Sequence, residues 1–504
     1  MLLVLVQGLC LLLSCLLLVQ CSRCSAKLVR DTTKCSERVS RHSRLSSGIR
    51  VATDSYKAEG GNKAKITVSV GVGSRHETDD INGIAHFTEH MLLKGSRASG
   101  LVFFPCHSRN GRRKNRAPLV PDRTVDGVAR RLSPTGRDMY ETFRLCFEFS
   151  LLNGATTKEI TRFKMECEKK EDVGTALATL SDLMINPDIS DINGASSHSG
   201  PISNIHGAGF LQISAEAQKL AFHPNPLSLF VEGQLYSNFS VMASDIRHFY
   251  AKHYKAKNTV ITAVGEVDHD EIVRLAEELF KDYPQGDGVS VPVSVWRHDS
   301  RVCFTQEARE VFGMLAVQAP SRALPKNATI AIVVRLIEWF PESAYPAHLT
   351  VTEDESNTVE SAQMWWSIQA FKEYTMIGRM FVAKPGREVI VIAKLIAKWR
   401  YLAYDMTEEN LKLAKDGFHK VYLSKDLDRA SIRLVMDMMH CGRVFAVEED
   451  RARCEAITLP QFRSACKRLL LDGDFTFVAF GPPDSAIPTR DEMKEALRRP
   501  KDEE

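Results

Sequence analysis

The chain has 504 residues, 44% of them hydrophobic and 26% charged, and its 66 Lys and Arg against 63 Asp and Glu leave a net charge of +3. At about 150 residues per domain that length excludes a single small module, and so slight a charge excludes a protein whose whole surface serves nucleic acid. Five of its cysteines (Cys10, Cys15, Cys21, Cys24, Cys35) precede any core segment and the others follow no pairing rhythm, so they read as free thiols rather than a disulfide framework.

Met1 to Val19 is apolar apart from Gln7, Gly8 and Ser14; it lacks the basic start of a secretory signal and has the length of a membrane anchor. Residues 22–50 then turn Ser-rich and basic, with eight Lys or Arg from Arg23 to Arg50 against Asp31 and Glu37, as in an organellar transit segment. Residues 1–50 are therefore expected to be a presequence-like segment outside the fold. This points to an organellar protein, the alternative being a secretory or membrane-anchored one held through residues 1–19.

An alternating strand follows at Lys65 to Val72, then the one dense chemical cluster, Gly83-Ile84-Ala85-His86-Phe87-Thr88-Glu89-His90. On a helix His86 and His90 are four residues apart and share a face, with Glu89 at its border. Two imidazoles so spaced suit one Zn²⁺, and the carboxylate is left free to act on water. Read as H-x-x-E-H, the order is that of inverzincins.

Residues 101–136 hold Arg109, Arg112, Arg113, Lys114, Arg116, Arg123, Arg130 and Arg131 among four prolines. Such a run reads as a solvated, basic insertion rather than a nucleic-acid surface. Asn153 lies in Leu152 to Glu159, and for that residue alone a structural turn is the plainer reading. An alternating strand (Thr161, Phe163, Met165, Cys167) leads into an amphipathic helix (Val173, Ala176, Leu177, Leu180, Leu183, Met184) that ends before Pro187. From Asp191 to Phe210 the composition is that of a loop, without a glutamate. Asp268 with Glu271 marks a helix start before Ile272 to Phe280, and Thr407 caps the helix beginning at Glu408.

Gly265 and Gly481 end similar strands, and the offset of 216 between them relates much more of the chain without gaps. Asp245-Ile246-Arg247 falls on Gln461-Phe462-Arg463, Met165 on Phe381, and Val173, Ala176 and Leu180 on Val389, Ile392 and Ile396. Two homologous α+β halves are expected, each a sheet covered by helices: an N-terminal one over 51–285, a linker at 286–300, a C-terminal one over 301–490, and a charged tail at 491–504.

The succession of the 65–72 strand, Gly73-Ser74-Arg75-His76-Glu77, Asn82-Gly83, HFTEH, Met91 to Ser96 and Leu152-Asn153-Gly154-Ala155-Thr156-Thr157-Lys158-Glu159 resembles the M16 metallopeptidases. Within that family the likeness is to β-type subunits of the mitochondrial processing peptidase and to core subunits of the cytochrome bc1 complex. The resemblance implies a clamshell of two αβ halves, Zn²⁺ bound by His86 and His90, Glu89 as general base, and an extended peptide added to a sheet edge near the metal, at the strand Asn153 begins. It implies a mitochondrial protein of the matrix or inner membrane, a zinc metalloendopeptidase that cleaves targeting peptides in a heterodimer with a glycine-loop α-type subunit. The alternative is a catalytically degenerate core subunit among bc1 partners. The family's third zinc ligand, a glutamate, falls near Pro201, where this chain has none, and His198, His206 and Glu216 do not match its position. With two histidines alone, the site must recruit a substitute or lose affinity.

Overall fold

The computed structural model describes residues 38–58, 61–95, 152–189, 205–233, 241–306, 308–323, 328–349 and 362–498. Residues 1–37 and 101–136, and with them the apolar start and the basic insertion, lie outside the described residues.

The first sheet is built from β1 (Val39–Arg44), β2 (Arg50–Ser55), β3 (Ala64–Val70), β4 (Leu152–Thr156), β5 (Thr161–Cys167) and β6 (Thr259–Gly265), in the order β1-β2-β6-β3-β5-β4. Helices α1 (Ile84–Lys94), α2 (Val173–Ile185), α3 (Ile205–Phe222), α4 (Ala243–His253) and α5 (His269–Leu279) belong to the same stretch of chain. The second sheet takes β7 (Ser300–Phe304), β8 (Val311–Pro320), β9 (Ala362–Ala370), β10 (Tyr374–Ala383) and β11 (Phe475–Gly481), in the order β7-β11-β8-β10-β9. With it come α6 (Ala328–Glu338), α7 (Glu388–Tyr404), α8 (Glu408–Gly417), α9 (Leu427–Met436), α10 (Val447–Glu455), α11 (Leu459–Cys466) and α12 (Arg490–Arg498).

Without β1 the two sheets have one topology. In each, a single parallel pair (β2 with β6, β7 with β11) joins otherwise antiparallel strands. The 216-residue offset carries β6 onto β11 at both ends and the start of α4 onto the start of α11. The expected α+β fold of two like halves is therefore the observed one.

Each half also covers the other's sheet. Under the same offset, the second part of α3 corresponds to α9. Ile213, Ala217, Ala221 and Phe222 of α3 pack with Met314, Ala316, Met376 and Val478 of the second sheet, while Leu427, Ala430 and Leu434 of α9 pack with Ala52, Val260 and Val264 of the first. Full burial of an aliphatic side chain contributes about 1.5–3 kcal/mol, so the exchange holds the halves together. It also explains why β3, an alternating strand by sequence, is buried on both faces: α9 lies over one of them. There Thr67 hydrogen-bonds Ser431 at 2.9 Å and Lys65 reaches Asp428 at 2.8 Å. By contrast β5 keeps its alternation, with Thr161, Phe163, Met165 and Cys167 buried.

Four expectations need correction. The fold begins inside the segment set aside as 1–50, because β1 pairs with β2 from Val39 onward and Arg38 is bound to the buried Asp54. Helix α3 starts at Ile205, so the loop read to Phe210 ends earlier; the apolar face needed against the second sheet overrides the local glycines. The charged tail is in part α12, whose Met493 and Leu497 enter the core. Asn153 is in a strand, not a turn: it is paired opposite Lys164 in β4.

Candidate metal centre and cleft

Helix α1 buries Ile84, Ala85, Met91 and Leu92 in the core of the first half and turns His86 and His90, both half-buried, to the other side. Their Nε2 atoms converge to 3.0 Å, with the ring centroids 4.6 Å apart. Glu89 is 4% exposed. Its Oε2 accepts a hydrogen bond from the Thr156 hydroxyl at 2.6 Å, and a Cβ added at Gly154 would lie 2.5 Å from its Oε1. Strand β4 thus grips the carboxylate at two points. Burial pushes the Glu89 carboxyl up to about 7, against the pull of the Thr156 bond and the Arg162 charge.

The start of α1 has no side-chain cap of the ordinary kind, since Gly83 stands at the N-cap with φ of 101°. Glu77 replaces it from outside the helix. Its carboxylate accepts from the backbone N–H groups of Gly83 at 2.6 Å and Ala85 at 2.7 Å, and from Asn82 Nδ2 at 2.7 Å, placing a negative group at the helix N-terminus. Burial pushes its carboxyl up to about 7, and those three donors oppose the rise.

A second loop closes on the same helix end. Leu229 O accepts from Lys158 Nζ and, at 3.2 Å, from Ser74 Oγ, and Phe230 O accepts from Asn82 Nδ2 at 2.7 Å. Gly233, with φ of +84°, lies so near Asn82 that a Cβ would fall 2.7 Å from its carbonyl oxygen. Glu232, exposed, is thereby set beside the first turn of α1. Burial lowers the basicity of His86, and the Glu232 charge opposes that shift.

A cavity of about 570 Å³ lies between the halves, reached by Thr156, Glu216 and Glu232 from one and by Ile368 and Ile432 from the other. Beside it, Arg75 bonds Glu159 and Glu373, the latter at 2.6 Å, and His440 lies 3.2 Å from Glu159. β4, the edge of its sheet among the described residues, runs along α1, with Asn153 exposed on it.

The structure therefore brings together His86, Glu89 and His90, with Asn153 on the adjacent strand. Glu216 lines the cavity from α3. His198 and the side chain of His206 lie outside the described residues. As a zinc site the donor set fits in part: two imidazoles converge, and burial lowers the pKa of His86, but among the described residues no third His, Cys, Asp or Glu is grouped with them. Sequence reasoning missed Glu77, Thr156 and Glu232 as contributors. The first two lie in segments that carry the family resemblance; Glu232 had no signal, because its loop meets α1 only through tertiary packing.

Two family models match the chain, "Insulinase (Peptidase family M16)" over residues 51–102 and "Peptidase M16 inactive domain" over 240–418. The first ends where the basic stretch begins. Over these two segments the chain is similar to the M16 family. Among curated relatives, this chain is 24% identical over 457 residues to the mitochondrial-processing peptidase subunit beta of Caenorhabditis elegans, covering 87% of this chain and 88% of that one. It is 21% identical to cytochrome b-c1 complex subunit 1 of Rattus norvegicus, over 87% and 85%. Mitochondrial localisation, implied by the family resemblance, is supported by these relatives. Two solved structures share the fold: a chain of complex III2 from Candida albicans (TM-score 0.67, 16% identity, 91% of this chain and 99% of that) and a peptidase M16 inactive domain from Pseudomonas fluorescens (TM-score 0.63, 14% identity, 89% and 100%). No helix among the described residues is long and apolar enough to cross a membrane.

Proposed function

We propose that this protein is the β-type subunit of a mitochondrial presequence-processing peptidase, a zinc endopeptidase that cleaves targeting peptides beside a glycine-loop α-type partner. The observation that carries the reading is the convergence of His86 and His90 Nε2 at 3.0 Å next to a buried carboxylate held by the edge strand. His86 and His90 would hold Zn²⁺, which when bound supplies Lewis acidity toward a peptide carbonyl and the attacking water. Glu89 is the general base that takes the proton of that water, and Thr156 fixes its carboxylate. The edge of β4, unpaired among the described residues, receives the peptide backbone as an added strand, with Asn153 as a contact to it.

Incubation of the purified chain and its partner with a presequence-bearing precursor tests the reading. Cleavage is expected, lost with a zinc chelator and regained with Zn²⁺. A second reading, a non-catalytic core subunit of the bc1 complex, is favoured by the absence of a third grouped donor among the described residues. A zinc-supplied, partnered chain that leaves the precursor intact decides for it.

A further inference from the structure

We propose that Arg162 forms a subsite for an acidic side chain of the bound peptide, on the face of the first sheet that α9 covers. The inference rests on the part of the peptidase reading in which the edge of β4 receives a peptide strand, and it names a chemistry that this peptide presents.

On β5 the buried Thr161, Phe163 and Met165 alternate with Arg162 and Lys164. Lys164 bonds Asp428 of α9 at 2.6 Å, so this second face of the strand looks toward the other half. Arg162 lines the cavity between the halves, as do Ile432 and Met436, one turn apart on α9. It is half-buried, and among the described residues no hydrogen bond or ion pair engages its guanidinium. Five N–H donors in a fixed fork are thus turned into a largely apolar cavity.

The carboxylates nearby are committed elsewhere. Asp428 also takes Lys65 at 2.8 Å, Glu89 accepts from Thr156, and Glu159 accepts from Arg75 and from the backbone N–H of Lys372. Glu216 and Glu232 share the cavity, but their charges act on Lys158, whereas Arg162 answers to Asp428 and Glu89. The cavity is therefore polarised, with an acidic side around Lys158 and a cation without a contact partner at Arg162. Attraction between opposite charges strengthens where water is excluded, and a carboxylate can engage a guanidinium through two parallel hydrogen bonds.

The strand register makes the group reachable. Arg162 is paired opposite Ala155 of β4, and residues so placed share a face. The small Ala155 methyl leaves the long Arg162 side chain a path across β4 toward its outer edge. A strand added there lies about 4.7–4.9 Å further out and presents every second side chain to this face. The peptide residue beside Ala155 meets Arg162, with Asn153, two residues along β4, flanking it.

Peptide binding tests the subsite without turnover. The full chain with its partner, kept in chelator so that nothing is cut, is titrated with fluorescent presequence peptides that carry Glu or Gln at each position in turn. Their C-termini are amidated, so that only a side chain can supply the carboxylate. At one position the wild type should bind the Glu peptide about tenfold or more tighter than its Gln counterpart, as for a hydrogen bond to a charged group. Arg162→Gln should bind the two alike, Arg162→Lys should keep the sign of the preference, and Arg162→Glu should favour Lys at that position. No position that favours Glu, or a preference that persists in Arg162→Gln, overturns the inference. Cleavage after Zn²⁺ is restored separates the two readings: cleavage without the preference leaves the peptidase reading standing and removes the subsite, while an Arg162-dependent preference without cleavage does the reverse. A chain that binds none of the peptides overturns both.

Discussion

The hydroxyl of Thr156 donates to Oε2 of Glu89 at 2.6 Å, so the last residue of the edge strand orients the carboxylate on α1. An arrangement of this kind acts on the chemical step more than on substrate affinity. Thr156→Val should lower kcat by about tenfold or more with little change in KM, a loss of about 1.4 kcal/mol in the barrier, and Thr156→Ser should restore it. Equal loss in both variants, measured by initial rates on a presequence peptide, would assign Thr156 to packing alone.

Glu89→Gln removes proton abstraction but no imidazole. It should keep zinc content near wild type by metal analysis and lower kcat by several orders of magnitude. Unchanged turnover would end the catalytic reading.

Glu77 serves the start of α1 with three accepted hydrogen bonds. In Glu77→Ala those buried donors lose their partner, which should destabilise the protein by about 2–4 kcal/mol, as expected for buried groups left unpaired. Because the helix start frays, zinc affinity should fall together with stability. Denaturant titration and zinc dialysis on one preparation check the coupling; a stable variant with intact zinc affinity would show that α1 does not depend on this cap.

Asp54 of β2, fully buried, bonds Arg38 at 2.5 Å and Arg433 of α9 at 2.7 Å. Burial raises its pKa, but the Arg38 bond and the Arg433 charge outweigh that and hold it below the usual carboxylate range. A folded pKa below the unfolded one stabilises above the unfolded value of about 3.9 and loses that contribution as pH falls through the folded value. Asp54→Asn should therefore cost about 3–5 kcal/mol near neutrality, as for a buried pair robbed of one partner, and should flatten the loss of stability below about pH 4. Urea midpoints across pH 2.5–7 in both proteins (~0.5-unit steps, resolving a slope set by one proton) check it; parallel curves would mean that Asp54 does not titrate with folding.

The repeat was legible because each half must bury its own sheet, and burial imposes periodic apolar positions that survive at a fixed offset: Gly265 and Gly481 end corresponding strands, and the 161–167 alternation is the burial pattern of β5. The metal-facing pair was legible for the same local reason, since a four-residue spacing on a helix brings two imidazoles to one face without help from the rest of the chain. What covers β3 was not, because α9 comes from the other half and its contacts with Thr67 and Lys65 leave no mark in the local pattern. Nor did local sequence place Glu77 over the helix start, Thr156 on Glu89, or Glu232 beside Gly83. Those placements depend on strand order and on glycine-to-glycine contact between distant segments, and only the assembled fold sets such distances.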